Sequence, residues 1–378
     1  MKKIFIFLGI ILLVCGCGKY DDKDLVKDLS KKIENCSAYH MTGTLEIYRN
    51  EEKYTYNVDS SYKKGDLFKV NLINQNNNHE QIILKNEEGV YVITPSLNKS
   101  FKFQSDWPYN NSQIYLLQPI ITDLNNDNER TFEKTADGYI LTSKVNYSSE
   151  RDFSNQKIYI DKDKNITKVE VLDNDNNIKM CLTIVDIDLK AKFDNHYFDA
   201  NNYQKQIKEE EQTKKENNTK ITQDNSKENN VDSNNQTKDK TKDQNNYNET
   251  TTSKIEDIVY PMYVPVDTQL SGQDVVETEI GERVILTFTG ESAFTVVQET
   301  LADEESINYV YGDPYLILDT VGSITDYSVS WISNGIEYSV MSDTMEIDEL
   351  LTVAQSISVK AVGKQLKKIF IVWYNNNW

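Results

Sequence analysis

The chain has 378 residues and carries 41 lysine and arginine residues against 60 aspartate and glutamate residues, a formal net charge of −19. This negative balance argues against nucleic acid as a partner, because binding to phosphates requires a cationic surface. A mean hydropathy of −0.61 and 27% charged residues exclude a polytopic membrane protein, yet 38% hydrophobic residues can build folded cores. The length predicts two or three domains.

The N-terminal residues have the three parts of a bacterial lipoprotein signal. Lysines stand at positions 2 and 3, and residues 4–14 form an apolar run that is too short to span a bilayer as a permanent helix. Gly16 then precedes Cys17, which resembles the lipobox, where a small residue precedes the cysteine that receives a diacylglyceryl group. We expect a signal peptide over residues 1–16 and lipid attachment at Cys17. An ordinary secretory signal with incidental cysteines is the alternative.

Two acyl chains on one cysteine give stable membrane anchoring. We therefore expect a protein held by its lipid at the outer face of the cytoplasmic membrane.

Residues 17–203 predict a first domain made mostly of strands. It opens with a helix that Asp21 or Asp22 can cap, with apolar residues at helical spacing behind the cap. From Met41 the period changes to two, and short strands alternate with turns rich in asparagine, glycine and aspartate. This spacing indicates an antiparallel meander. The later strands are predicted over residues 54–60, 67–73, 80–84, 90–94, 100–103, 139–147, 157–160, 167–172 and 179–190.

An apolar insertion at residues 112–124 interrupts the meander and predicts a helix, in which Pro119 should force a kink or a break. Because one face of a curved sheet needs a cover, we expect this insertion and the first helix to form a lid. Its apolar and aromatic side chains either pack as core under the sheet or line and gate a cavity for an acyl chain. The candidate groove and lid residues are Trp107, Tyr109, Ile114, Tyr115, Leu117, Ile120 and Ile121.

Besides Cys17, the mature chain has Cys36 at the end of the predicted helix and Cys181 in a predicted strand. A disulfide between them is one interpretation, since such bonds form outside the cell. Two unpaired thiols buried as small hydrophobic groups are the other interpretation. Nothing in the spacing decides between them.

The sequence predicts no cofactor, no metal site and no catalytic residue. His40, His79 and His196 lack the spacing of metal ligands, and no P-loop or nucleophile elbow is present. Residues 161–165 and 173–177 begin like calcium loops but lack the glycine and the final glutamate that such loops need. Hairpin turns are the expected structure there, and we expect a protein that is not an enzyme.

Residues 204–254 predict a disordered polar linker. These 51 residues contain no glycine, proline, leucine or cysteine and a single aromatic residue, Tyr247. Such a stretch cannot bury enough apolar surface to offset the entropy of ordering it. We therefore expect the part beyond the linker to be tethered and free to move relative to the first domain.

Residues 255–378 predict a small α+β domain with 5 basic and 20 acidic residues, a net charge of −15. Asn334-Gly335 is a strong hairpin signal. A helix should follow, capped by Asp343 with Glu346 three residues later. The strands are predicted over residues 283–289, 294–299, 315–319, 328–333 and 335–341.

One interpretation of these acidic residues is a solvated surface that keeps the protein soluble. The more specific interpretation is a surface that docks to a basic partner or binds divalent cations loosely. Lys364, Lys367 and Lys368 precede the apolar run 369–374, which either closes the sheet as a last strand or contacts anionic lipid.

The helix, the meander, the insertion and the strand runs 158–163 and 168–173 together resemble the LolA/LolB/RseB-type lipoprotein-carrier superfamily over residues 21–199. The resemblance implies a half-open barrel whose concave apolar face holds acyl chains or is presented to another protein. In its amino-acid usage the sequence is similar to small lipoproteins of spore-forming Gram-positive bacteria. Some of those lipoproteins are linked to sporulation and germination. Residues 329–357 resemble an uncharacterised C-terminal domain of Gram-positive membrane regulators and LolA-like lipoproteins.

The predicted fold class is α+β, with a curved antiparallel half-barrel under a helical lid, a flexible linker and a second small α+β domain. The leading functional interpretation is a lipid-anchored, non-enzymatic binding module. Its groove would engage an acyl lipid or a partner envelope protein, in sporulation or germination. An envelope-stress sensor whose C-terminal domain reads a signal is the alternative, and an unrecognised hydrolase comes third.

Overall fold

The structure is a computed structural model that describes residues 20–49, 52–97, 99–110, 112–147, 150, 152–203, 254–301 and 307–357. The predicted signal peptide with Cys17, residues 204–253 of the predicted linker and the predicted last strand at 369–374 lie outside the described residues. In the part of the chain that is described, no helix is both long and apolar enough to cross a membrane.

The first helix, α1 (Asp22–Glu34), begins at the predicted cap. The backbone N–H of Asp24 donates to Asp21 Oδ1 at 3.1 Å, and the backbone N–H of Asp21 donates to Asp24 Oδ2 at 3.3 Å. This reciprocal pair satisfies two backbone donors that a helix start leaves free. The predicted cap and helical spacing are confirmed.

Eleven antiparallel strands follow, as the meander prediction requires. Their order in the first sheet is β6-β5-β4-β3-β2-β1-β11-β10-β9-β8-β7, where numbers follow the chain. The first six are β1 (Ala38–Arg49), β2 (Glu52–Lys63), β3 (Leu67–Asn74), β4 (Glu80–Asn86), β5 (Gly89–Thr94) and β6 (Lys99–Gln104). The other five are β7 (Thr131–Lys134), β8 (Gly138–Lys144), β9 (Phe153–Asp161), β10 (Ile166–Asp173) and β11 (Ile178–Asp188). Strand β7 was not predicted.

The insertion contains one helix, α2 (Leu117–Asn126), which starts later than predicted. Pro119 is the third residue of this helix. Backbone N–H groups in the first turn have no acceptor within the helix, so a proline there removes no hydrogen bond. The prediction of a kink or break at Pro119 is therefore wrong.

Both helices lie on one face of the first sheet, which we call the helix-covered face. Leu29 of α1 and Leu117 of α2 share a hydrophobic cluster with Met41, Val58 and Phe68 of β1, β2 and β3. All five residues are at most 2% exposed. Removal of this apolar surface from water is the main stabilisation of the first sheet.

Cys36 and Cys181 are both free thiols, so the disulfide interpretation is wrong. The buried Cys36 Sγ donates to Ala38 O at 2.8 Å, at the start of β1. Cys181 lies opposite Glu46, eight positions farther along β1. At about 3.3 Å per residue this separation is about 26 Å, several times the Cα distance that a disulfide can bridge.

The two turns that begin like calcium loops are hairpin turns, as predicted. The backbone N–H of Asn165 donates to Asp161 Oδ1 at 2.8 Å, and Asn177 makes the same bond to Asp173 at 2.8 Å. Among the described residues, no group of three or more acidic, histidine or cysteine side chains could hold a metal ion.

The second sheet has seven antiparallel strands in the order β12-β13-β14-β19-β18-β17-β16. They are β12 (Thr268–Thr278), β13 (Gly281–Gly290), β14 (Phe294–Thr300), β16 (Asp313–Ile317), β17 (Thr320–Ile324), β18 (Ser328–Ser333) and β19 (Ile336–Met341). Asn334 and Gly335 join the last two strands with φ angles of 51° and 77°, which confirms the hairpin prediction.

A third helix, α3 (Ile347–Ser356), packs against the second sheet. Leu350, Leu351 and Ala354 of this helix and Ile357 directly after it are buried. The predicted cap at Asp343 is wrong, since Glu346 occupies the N-cap position.

The remaining strand, β15 (Ile307–Tyr311), comes from the segment between β14 and β16 but joins the first sheet. It pairs in parallel with β6, from Ile307 opposite Ser100 to Tyr311 opposite Gln104. The two sheets are therefore in direct contact. The expectation that the C-terminal part moves freely on its linker does not hold in this structure.

Candidate functional site

The predicted groove and lid residues come together, but as core. Of the seven, only Tyr109 is exposed, at 51%, whereas Trp107 has no exposed surface. The ring of Phe68 meets Trp107 edge-on at 6.1 Å and Tyr109 edge-on at 5.9 Å between ring centroids. Lys85 Nζ donates to the carbonyl oxygen of Trp107 at 2.9 Å and fixes this segment. The other five residues, Ile114, Tyr115, Leu117, Ile120 and Ile121, are buried in the same cluster.

Two depressions in the described ranges lie elsewhere. One depression of about 290 Å³ is lined by residues of β1–β3, including Thr44, Asn57 and Asn71. A second, of about 510 Å³, lies between α1 and the residues that end and follow α2. None of the seven predicted residues lines either one. The packing interpretation of the insertion thus fits the structure better than an acyl-sized cavity beside it.

A half-buried carboxyl group lies under the first sheet. Asp123 of α2 accepts hydrogen bonds from Ser112 Oγ at 2.8 Å and from Gln156 Nε2 at 3.1 Å. Burial raises the pKa of Asp123 to about 6. Asp123 was not among the predicted site residues, although an aspartate between Ile121 and Leu124 in an apolar helix is a usable signal.

Where the two sheets meet, Gln81 of β4 reaches the backbone of β17. Its Nε2 donates to Val321 O at 3.1 Å, its Oε1 accepts from the backbone N–H of Val321, and Thr320 Oγ1 donates to the same Oε1 at 3.1 Å. Gln81 is 4% exposed and Val321 is 5% exposed. The Gln81 side chain therefore makes the hydrogen bonds to the Val321 backbone that a neighbouring strand would otherwise make.

A second polar contact joins the sheets through Arg49 at the end of β1. Arg49 Nη1 lies 2.8 Å from Glu150 Oε1, and Arg49 Nη2 donates to Tyr315 Oη at 3.0 Å. Tyr315 Oη also donates to Glu150. Burial raises the pKa of Tyr315 well above its ordinary value, so its hydroxyl stays protonated and remains a donor. All three groups have partners, as buried polar groups require.

Three further side-chain contacts extend this interface. Tyr56 Oη donates to Leu318 O at 3.0 Å. Asn77 Nδ2 donates to Asp319 Oδ2 at 3.0 Å. Ser105 Oγ donates to Asp313 Oδ1 at 2.6 Å.

The side chains at this interface hold and orient the two sheets, and none of them was predicted as a site residue. Gln81 and Tyr315 stand at unremarkable positions in predicted strands, and their partners across the interface lie more than 160 positions away. Sequence spacing carries no signal for contacts of this kind.

A comparison of sequences places the chain. No family model matches it. It is 30% identical over 367 residues to the sporulation protein YdcC of Bacillus subtilis (strain 168), which covers 94% of this chain and 97% of the relative. The chain belongs to the family of this sporulation protein.

Solved structures with a detectable likeness include the MucA/MucB complex of Pseudomonas aeruginosa, at 11% identity and a TM-score of 0.29 over 88% of this chain and 97% of that chain. A LolA superfamily protein from Nitrosomonas europaea matches at 9% identity and a TM-score of 0.29, over 48% of this chain and 98% of that chain. At such scores these likenesses carry no inference about ligands, partners or mechanism.

Proposed function

We propose that this protein is a lipid-anchored, extracytoplasmic protein of sporulation that acts by binding a partner protein at its surface, without catalysis. The observation that carries the proposal is the filled helix-covered face. In a half-open barrel that encloses an acyl chain this face would be hollow. Here Trp107, Leu116 and Leu117 occupy it and are at most 1% exposed.

Filling by the chain's own side chains matters because protein interiors are close-packed. An acyl chain could enter only if these residues moved apart, which would expose their apolar surface or leave voids. A cavity for a small ligand typically measures about 300–1,000 Å³ and is mostly apolar. Neither of the two depressions described above is lined by Trp107, Leu116 or Leu117.

Different observations support the membrane anchor and the role in sporulation. The lipobox-like Gly16-Cys17 supports acylation and an extracytoplasmic location. The family relative is called a sporulation protein, which supports a role in spore formation for this chain as well. The absence of any predicted catalytic group, together with the contacts that occupy the interface polar groups, supports binding over catalysis.

The docked sheets offer one continuous surface to a partner, which favours recognition by shape and charge. A second candidate, a sensor, is supported by the polar character of the interface. In the docked arrangement Gln81 bonds to Val321 across the interface, and Arg49 and Glu150 both bond to Tyr315 across it. A partner that supplied replacement hydrogen bonds to these groups could therefore separate the sheets.

Site-specific photocrosslinking in sporulating cells tests the binding proposal. A photoreactive residue would replace exposed Val185, Val275 or Tyr327 one at a time, with buried Leu29 as the matched control position. We expect at least one exposed position, and not the control, to crosslink to a single protein that binds again when both components are purified. Crosslinks to lipid alone, or copurification of one acyl lipid per chain, would contradict the proposal.

Anchoring is tested independently with the Cys17→Ser variant. The unchanged chain should fractionate with the membrane and carry acyl groups on Cys17, and the variant should be released into the soluble fraction. An unchanged chain that carries no acyl groups on Cys17 would contradict the anchor without bearing on partner binding.

A further inference from the structure

A groove of about 510 Å³ opens between α1 and the residues that end and follow α2. Three of the lysines of α1 and Arg130 line it, together with Glu34, Ser30 and Asn125. Ser30 Oγ donates to Asn125 Oδ1 at 3.2 Å across the gap, and this bond ties the two sides together. The lining thus carries four cations against one carboxylate, in a chain whose net charge is −19.

Lys23, Lys27 and Lys31 follow one another at intervals of four residues and therefore lie along one stripe of the helix. All three are exposed. Within the described ranges, no carboxylate forms an ion pair with any of them, whereas Lys164 pairs with Asp28 at 2.6 Å. Their charges are thus free to meet an external anion.

Arg130 supplies a fixed cation at the groove. Its Nη2 lies 2.8 Å from Asp22, and its Nη1 donates to the carbonyl oxygens of Asp127 at 2.7 Å and Leu124 at 3.2 Å. The side chain is 9% exposed. These contacts hold the start of α1 against the end of α2, so the groove keeps its shape without a ligand.

The groove lies close to the predicted anchor. Tyr20 is fixed by its hydroxyl, which donates to Asp28 at 2.9 Å, and by its ring, 5.8 Å from that of Tyr139. Two residues lie between Cys17 and Tyr20, and the three residue steps span at most about 11 Å when extended. An acylated Cys17 therefore keeps the first turn of α1 near the membrane surface.

We propose that the groove beside Lys23, Lys27 and Lys31 rests on the membrane and binds the phosphate headgroups of anionic phospholipids. The proposal rests on the acylation of Cys17 proposed above. The anchor holds the lysines at high local concentration over the lipid, so a patch too weak to bind alone becomes effective. The negative charges that lie more than about 8 Å away are screened at physiological ionic strength, whereas Asp24, Asp28 and Glu34 of α1 lie nearer and reduce this local attraction.

Lysine footprinting on vesicles is the direct test. The acylated full chain is reconstituted into vesicles of phosphatidylcholine alone or mixed equally with phosphatidylglycerol. Its amines are then acetylated and each lysine is quantified by mass spectrometry. We expect Lys23, Lys27 and Lys31 to react roughly tenfold more slowly on the anionic vesicles, and exposed Lys53 and Lys192 to react equally on both. Equal rates for the three lysines on both vesicles would overturn the proposal.

A second arm keeps the result independent of the anchor. The Cys17→Ser chain is floated with anionic vesicles at low salt, alongside a triple variant with Lys23, Lys27 and Lys31 changed to Gln. A control triple variant changes Lys53, Lys157 and Lys192 to Gln. Since each lysine near an anionic surface contributes a similar amount of binding, the first variant should lose on the order of a hundredfold in partition and the control much less. Equal losses of partition in the two triple variants would overturn the proposal that the groove binds anionic headgroups.

Inorganic phosphate separates the two sources of the anion. If phosphate at low millimolar concentration abolishes the footprint on anionic vesicles, the groove is a site for free phosphate and the membrane proposal is overturned. A footprint that persists supports the headgroup. The mass of the membrane-bound chain reports acylation directly, so a failed anchor and a failed groove give different results.

Discussion

The side-chain amide of Gln81 pairs with the backbone of Val321 as a neighbouring strand would. Its Nε2 donates to Val321 O at 3.1 Å, and the Val321 N–H donates back to its Oε1. The two residues lie 240 positions apart and in different sheets. Because both are buried, separation of the sheets without water at this point would leave unpaired polar groups on each side. This pair therefore sets the position of one sheet on the other.

Replacement of Gln81 by alanine should lower the free energy of unfolding by about 1–3 kcal/mol, because the amide and carbonyl of Val321 lose their partners. Hydrogen exchange at the Val321 amide should accelerate in the variant. Urea unfolding and exchange mass spectrometry measure the two effects. Gln269→Ala, at an exposed position of β12, serves as the control and should change stability by less than about 0.5 kcal/mol. An unchanged Val321 exchange rate would show that the sheets are not docked in this way.

Replacement of Arg49 by methionine should cost about 3–5 kcal/mol, since it leaves Glu150 buried without its cation. Tyr315→Phe removes one hydroxyl from the same cluster and should cost about 1 kcal/mol. The double variant should lose less than the sum of the two, because both changes break the same network. Chemical denaturation of the four proteins completes this cycle, and strict additivity would contradict the described contacts.

Local patterns predicted local structure well. The cap at Asp21 and the hairpin at Asn334-Gly335 depend on residues a few positions apart, and both are present. Strand β12 was missed because its sequence, with Gly272 and Asp274, has little strand propensity and is held by pairing with β13. Strand β15 was missed because its partner β6 lies about two hundred positions earlier.

The site was less predictable than the fold for the same reason. Apolar residues of the insertion were found by composition, but composition does not say whether they fill a space or line it. Trp107 turned out to be core because Phe68, from another part of the chain, packs against it. The polar contacts of Gln81 and Arg49 depend on how two sheets dock, which no spacing within either segment reveals.

The stability of the protein should depend on pH through Asp123. Burial raises the pKa of this carboxyl to about 6, above that of an unfolded chain, so the folded state binds its proton more tightly. The stabilisation is complete below about pH 4 and is lost as the pH rises through 6, by up to about 3 kcal/mol. Asp123→Asn should match the unchanged protein at pH 4 and exceed its free energy of unfolding at pH 7. A constant difference between the two proteins across this range would contradict the assignment.

Both remaining thiols should be free in the mature protein. Alkylation of the Cys17→Ser chain in urea without reductant should modify Cys36 and Cys181, which intact mass spectrometry counts directly. Cys181→Ser should lower the free energy of unfolding by less than about 1 kcal/mol, whereas loss of a native disulfide commonly costs about 2–5 kcal/mol. A chain that takes up no alkylating reagent before reduction would contradict the structure.

The chain's own side chains fill the helix-covered face, and we therefore propose that the protein works through its surface. Native mass spectrometry of the Cys17→Ser chain, purified from cells in mild conditions, tests this most directly, with extraction into organic solvent as a second readout. We expect a single mass equal to that of the polypeptide and no extractable acyl species. An acyl lipid bound at near one per chain, released by solvent, would contradict it.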